Sequence, residues 1–115
     1  MAKPRTLDVR WSSVARADLE SIVGFVAEAD PSAALTALDR LERAAGRLAT
    51  FPFRGRVVPE LAYFGIQTYR ELVVSPWRVF YRVSGTSVLV VAVLDSRRNL
   101  EDVLLERLVR ETESN

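Results

Sequence analysis

The sequence predicts an α+β fold, with an N-terminal strand and a helical hairpin packed on a small, mostly antiparallel sheet in the order β-α-α-β-β-β-α. Three observations predict it. Apolar residues recur at helical spacing through the first half of the chain. The period shortens to two over "YRELVVSPWRVFYRV" (Tyr69–Val83). The next run, "SVLVVAVL" (Ser87–Leu94), is apolar on both faces and reads as an interior strand. A length of 115 residues fits a single domain, 1–115, large enough to bury one core.

"TLDVRW" (Thr6–Trp11) alternates as a short strand. Ser12 or Ser13 can cap a helix through "VARADLESIVGFVAEA", where Leu19, Ile22, Val23 and Val26 form one stripe. Gly24 within it costs about 1 kcal/mol against Ala. Asp30 and Pro31 suit the start of a second helix, striped by Leu38, Leu41, Ala45 and Leu48. So short a connection makes the two helices an antiparallel hairpin. "FPFRGRVVPEL" (Phe51–Leu61) reads as a Pro- and Gly-punctuated loop. "YRELVV" is a strand, Ser75-Pro76 a turn or edge, and "WRVFYRV" a clean alternation ending in a "SGT" turn. "RRNLEDVLLERLVRE" is helical, with Leu100, Leu104 and Leu108 at i+4 spacing, and residues from about 109 onward should fray.

Composition narrows the chemistry. The chain has 49% apolar and 27% charged residues, an ordinary globular balance. It has no cysteine, which excludes disulfides and thiolate metal sites, and no histidine, which removes the usual general base. No metal site and no cofactor are expected, because no ligand cluster or cofactor fingerprint is visible. "MAKPRTLDVRWSS" has no secretory apolar core, so a cytoplasmic protein is expected. The net charge of +1 is uneven. Residues 54–98 carry seven arginines against three acids, while residues 99–115 carry two bases against five acids.

Arg70, Arg78 and Arg82 stand inside the strongest strand signal. Alternation puts Trp77, Val79, Tyr81 and Val83 under the helices, and Arg78, Phe80 and Arg82 on the opposite face, expected to be uncovered. One account is a solvated face with cross-strand ion pairs, Glu71 being the obvious partner. The other is a basic surface for phosphate or an acidic peptide, with Phe80 between two cations. Glu60 in "VVPEL" is either a surface acid or a general base. Asp95, Arg97 and Arg98 in "DSRRN" end the interior strand, a position that often carries function.

The succession "P-x-x-G-R-V-V-P-E-L", "Y-R-E-L-V-V", "W-R-V-F-Y-R-V" and "V-L-V-V-A-V-L-D-S-R-R-N-L-E" resembles the RelE/ParE superfamily of toxins from type II toxin–antitoxin modules. The resemblance runs from about Val9 to Leu108. It implies a toxin neutralised by a partner antitoxin. The target is either DNA gyrase, blocked by binding, or the ribosome and its mRNA, cut without a metal. A fold-retaining, non-toxic regulator is a third possibility. Carried over by position, Glu60 resembles the base of some nuclease members and Arg78 the sheet arginine that contacts the scissile phosphate; if the chain is a nuclease, Arg82 joins Arg78 in stabilising charge. Arg70, Arg78, Phe80, Arg82, Arg97 and Arg98 are the candidate binding residues for antitoxin or target. Where many relatives have His this chain has Asp95, and its tail has no Tyr; Tyr69 and Tyr81 are the remaining candidates for an acid. The incomplete nuclease set favours gyrase binding over RNA cleavage.

Overall fold

The computed structural model describes residues 6–113, with side chains through Arg107. Its strands are β1 (Asp8–Trp11), β2 (Arg56–Val57), β3 (Tyr69–Val74), β4 (Trp77–Ser84) and β5 (Ser87–Asp95). Its helices are α1 (Ser13–Ala29), α2 (Pro31–Gly46), the single turn α3 (Pro59–Ala62) and α4 (Leu100–Glu113). A 3-10 turn, Arg47–Ala49, extends α2. The expected order holds, with β2 and α3 added inside the stretch expected to be loop.

The helical hairpin is fixed by its caps. Ser12 Oγ accepts from Ala15 N–H (3.1 Å) at the start of α1. Asp30 Oδ1 accepts from Ser32 and Ala33 N–H (3.0 and 3.2 Å), and Pro31 opens α2. One residue, Asp30, therefore ends α1 and starts α2, which forces the antiparallel turn.

The sheet order is β1-β5-β4-β3-β2. β1 lies parallel to β5, with Asp8 opposite Ser87, and every other pairing is antiparallel. β5 is thus interior, as its unbroken apolar run requires. Ser75-Pro76 is the β3–β4 turn, and Gly85, at φ +57°, lies in the β4–β5 turn.

Each face of the sheet carries its own core. Ala15, Ala37, Leu41 and Leu48 of the hairpin layer pack with Trp77, Val79, Tyr81, Val88, Val90 and Val93. On the other face Val58, Phe80, Ala92 and Leu94 meet Leu100 and Val103 of α4. The expectation of an uncovered face is therefore corrected: α4, amphipathic and excluded from the face held by α1 and α2, buries its stripe there. Leu108 of that stripe lies beyond the described side chains. The expected fraying also concerns that region, and the backbone of α4 is helical to Glu113.

A bulge in β5 sets which of its residues face which core. Phe80 pairs with Ala92 and Tyr81 with Val90, leaving Val91 as the extra residue. Past the bulge the alternation changes phase, sending Val93 to the hairpin face and Ala92 and Leu94 to the α4 face. Beyond the end of β1, Asp18 of α1 takes over the edge of β5. Its carboxylate accepts from Val93 N–H (3.0 Å) and from Arg107 Nη2 of α4 (2.7 Å).

Two glycines test these packing statements in opposite directions. A Cβ on Gly55 would fall 2.5 Å from Glu71 C=O and 2.6 Å from the Tyr81 hydroxyl, whereas one on Gly24 meets nothing within 4 Å. Gly55→Ala should lower the unfolding free energy by about 1–3 kcal/mol through overpacking. Gly24→Ala should raise it by about 1 kcal/mol through helix propensity. Urea titration of both variants measures the pair, and shifts of the same sign would contradict this packing.

Candidate functional site

Arg78 is the centre of the site. β4 places it one position before Val79 of the hairpin core, so alternation turns it to the α4 face. It is only 8% exposed, and Glu71 of β3 only 1%. Two buried opposite charges on adjacent strands must pair. Arg78 Nε donates to Glu71 Oε2. Its Nη1 and Nη2 donate to the two carboxylate oxygens of Glu60 at 2.8 and 2.9 Å, a bidentate fork. Arg56 Nε, opposite in the β2–β3 register, donates to the remaining Glu71 oxygen at 2.8 Å. The charges alternate along the chain Arg56–Glu71–Arg78–Glu60. The Arg78 Cζ also lies 4.9 Å from the centre of the Phe80 ring.

This geometry changes the sequence reading of several residues. Arg78 does not look out to solvent: it is buried, and both edges of its guanidinium are occupied by carboxylates. Phe80, 4% exposed, is a core residue beneath α4 rather than a stacking surface. Glu60 lies in the first turn of α3, which Pro59 opens. The hydrogen bonds from Arg78 hold its carboxyl below the usual carboxylate range, which makes it a weak base. The same bonds raise the Arg78 guanidinium further above neutrality. The pairing with Glu71 expected from sequence is present. The part of Arg56 had no local signal, since a two-residue strand in a Pro- and Gly-rich stretch shows no periodicity.

The remaining candidates do not converge on Arg78. Arg82 is exposed on the same face, opposite Tyr69 and Leu89, and forms no ion pair among the described residues. Arg70 pairs with Tyr81, so it belongs to the other face. There its Nη1 donates to Gly55 C=O (2.8 Å), and its Cζ sits 5.2 Å from the Phe53 ring centre. Arg97 clasps Asp95 with two side-chain bonds (3.0 and 2.7 Å), which depress the Asp95 carboxyl to about 2. Arg98 donates to Glu106 of α4 (2.9 Å). Both follow Asp95, which pairs with Trp77, so they lie at the opposite end of β4 from Arg82, roughly 16 Å away by strand rise. Tyr81 is fully buried, accepts from Gly55 N–H (2.9 Å), and has its phenol pushed up by burial.

Beside the charge chain lies an apolar groove of about 290 Å³ between α3 and α4. Leu61, Ile66, Tyr69, Val91 and Leu104 are among its walls, with Phe80 at its base. Tyr69 neighbours Arg82 across the strands, which puts an exposed cation next to the groove. No helix among the described residues is long and apolar enough to cross a membrane.

Residues 9–100 match the family model described as the ParE toxin of type II toxin–antitoxin systems, parDE. The chain belongs to the ParE toxin family. Toxin ParE3 of Caulobacter vibrioides is 40% identical over 63 residues, 55% of this chain and 59% of that protein. The match thus spans less than two thirds of the curated relative. A chain of the chromosomal ParDE system from P. aeruginosa superposes with a TM-score of 0.65 at 21% identity, over 79% of this chain and 97% of that one. A chain of the toxin–antitoxin complex RelBE2 from Mycobacterium tuberculosis gives 0.56 at 23% identity, over 83% and 97%. At these identities the two structures establish a shared fold.

Removing the centre of the charge chain should be costly. Arg78→Ala leaves Glu71 buried with only Arg56, and stability should fall by about 3 kcal/mol, the low end for a broken buried pair. Acid should act on the same chain. The folded-state value of Glu60 lies below its unfolded value. Its contribution is therefore complete above the ordinary carboxylate range and lost as pH falls through the lowered folded value. Glu60→Gln should flatten that part of the acid dependence, as read by denaturant unfolding across the acidic range. An unchanged slope would show that the pair is not formed in solution.

Proposed function

We propose that this chain is the toxin of a type II toxin–antitoxin pair, that it acts in the cytoplasm by binding DNA gyrase, and that a partner antitoxin neutralises it. Membership of the ParE family supports the toxin and the antitoxin. One observation carries the preference for binding over cleavage: Glu60 and Arg78 hold each other in a bidentate pair. A metal-free nuclease needs a base, an acid and positive charge aimed at the scissile phosphate. Here the base and the buried cation neutralise each other. The Asp95 carboxyl is held by Arg97 in its charged form, and the Tyr81 phenol is enclosed.

A binding toxin needs surface instead. The groove between α3 and α4 offers apolar walls for the anchors that dominate affinity, and Arg82 beside it gives orientation and rate. We assign this groove to the antitoxin.

Glu60→Gln keeps the shape of the side chain and removes its charge. Expressed without an antitoxin, this variant should arrest growth as the wild type does and induce a DNA-damage response. Loss of arrest by a factor of roughly 10²–10⁴, the usual worth of a general base, in a variant that keeps wild-type stability and antitoxin binding would favour the ribonuclease. Transcript mapping would then find cleaved mRNA. Absence of arrest in the wild type would indicate a non-toxic regulator.

A further inference from the structure

The sheet ends on one side in β2 and on the other in β1, whose four residues are Asp8, Val9, Arg10 and Trp11. Asp8 N–H donates to Thr86 C=O and Ser12 N–H to Val90 C=O, both at 2.9 Å. The even-numbered residues therefore bond to β5. By alternation the N–H and C=O groups of Val9 and Trp11 point out of the sheet. They have no backbone partner among the described residues. Leu7 N–H is already taken by Ala49 C=O (2.8 Å), so the open stretch of donors begins at Val9.

The side chains of this edge divide by face. Leu7, Val9 and Trp11 are half-buried against the hairpin core. Asp8 and Arg10 stand on the other face with side chains 62% and 72% exposed, and among the described residues each has an ion pair only with the other. Edge strands commonly discourage pairing with like charges or proline. This one carries a single acid and a single base, flanking an apolar residue whose backbone is open. The order acid, apolar, base is its own complement when read in reverse.

We propose that this edge is an interface between two copies of the chain, formed by antiparallel pairing of β1 with β1 about a two-fold axis at Val9. Val9 N–H of each copy donates to the Val9 C=O of the other. Asp8 then stands opposite the second copy's Arg10, and Arg10 opposite the second copy's Asp8. These are the non-hydrogen-bonded positions, where side chains approach most closely. On the hairpin face Trp11 meets the second copy's Leu7. Other registers fail on charge: an axis at Asp8 or at Arg10 sets like charges opposite each other, and so does parallel in-register pairing. The two five-stranded sheets become one, with β2 at both outer ends, so association stops at the dimer. The inference does not depend on the toxin reading.

Sedimentation velocity of the full chain, carried to about 1 mM so that a weak interface is populated, tests this. The wild type should show a monomer–dimer equilibrium that salt weakens. Asp8→Arg places two bases on each copy's edge, and Arg10→Asp places two acids. Each variant alone should raise the dissociation constant about tenfold or more. Both positions are exposed and the pair lost within β1 contributes little, so the fold should persist, as circular dichroism would verify. An equimolar mixture of the two variants sets every base against an acid and should dimerise again. A wild type that stays monomeric throughout would overturn the proposal. Single variants that dimerise as tightly as the wild type would place any contact between copies elsewhere and overturn it too, as would a mixture that remains monomeric.

Discussion

The rest of the α4 face depends on how one buried arginine is neutralised. Arg78 sits in the middle of the sheet and almost out of reach of water. An uncompensated guanidinium there would cost several kcal/mol. Glu71 and Glu60 remove that cost together, one from the adjacent strand and one from the short helix after β2. The pairing also fixes geometry. It ties α3, a single turn too short to be stable alone, to β4. With α3 held, Val58 and Leu61 can line the second core, and α4 has a surface to meet. Replacing such a chain by apolar side chains is often no less stable, so its value here is positional: it determines where α3 stands.

The same arrangement sets what the molecule can do. A cation committed to two carboxylates presents little field outward, and a carboxylate locked by a guanidinium is a poor base. The exposed charge therefore lies elsewhere, on Arg82 beside the apolar groove and on Arg47 and Arg54 along the open edge of β3. Strand residues thus divide between a core role and a surface role at intervals of only a few positions. Alternation lets β5 serve both cores, and the bulge at Val91 shifts the phase so that Val93 joins the hairpin core and Ala92 and Leu94 the core under α4.

Much of this was legible in the sequence. The helical stripes, the Asp30-Pro31 junction, the interior character of β5 and the side on which Trp77, Val79 and Tyr81 pack all follow from local patterns. Coverage of the other face did not. Arg78 and Phe80 looked outward because a mixed polar and aromatic face resembles a solvated one. The missing step was available in the C-terminal segment: an amphipathic helix must bury its stripe, and the hairpin already held the first face. Pro59 before Glu60 likewise signals a helix start within a stretch that otherwise reads as loop. Other features had no sequence signal. The contact of Gly55 with β3 and the Tyr81 hydroxyl, and the pairing of Arg56 with Glu71, exist only once the strands are in register.

The parallel pairing of β1 has a consequence for synthesis. Asp8 through Trp11 find their partners at Ser87 through Val90. During translation the first strand emerges early and has nothing to pair with until most of the chain has followed. The helical hairpin and the β3–β4–β5 meander involve near neighbours and form readily by comparison. Pairing of β1 with β5 therefore closes the longest loop of the sheet, and α4 follows β5 in order of synthesis. Until then the nascent polypeptide displays apolar surface from both cores, and this is the interval in which a chaperone or another chain could capture it.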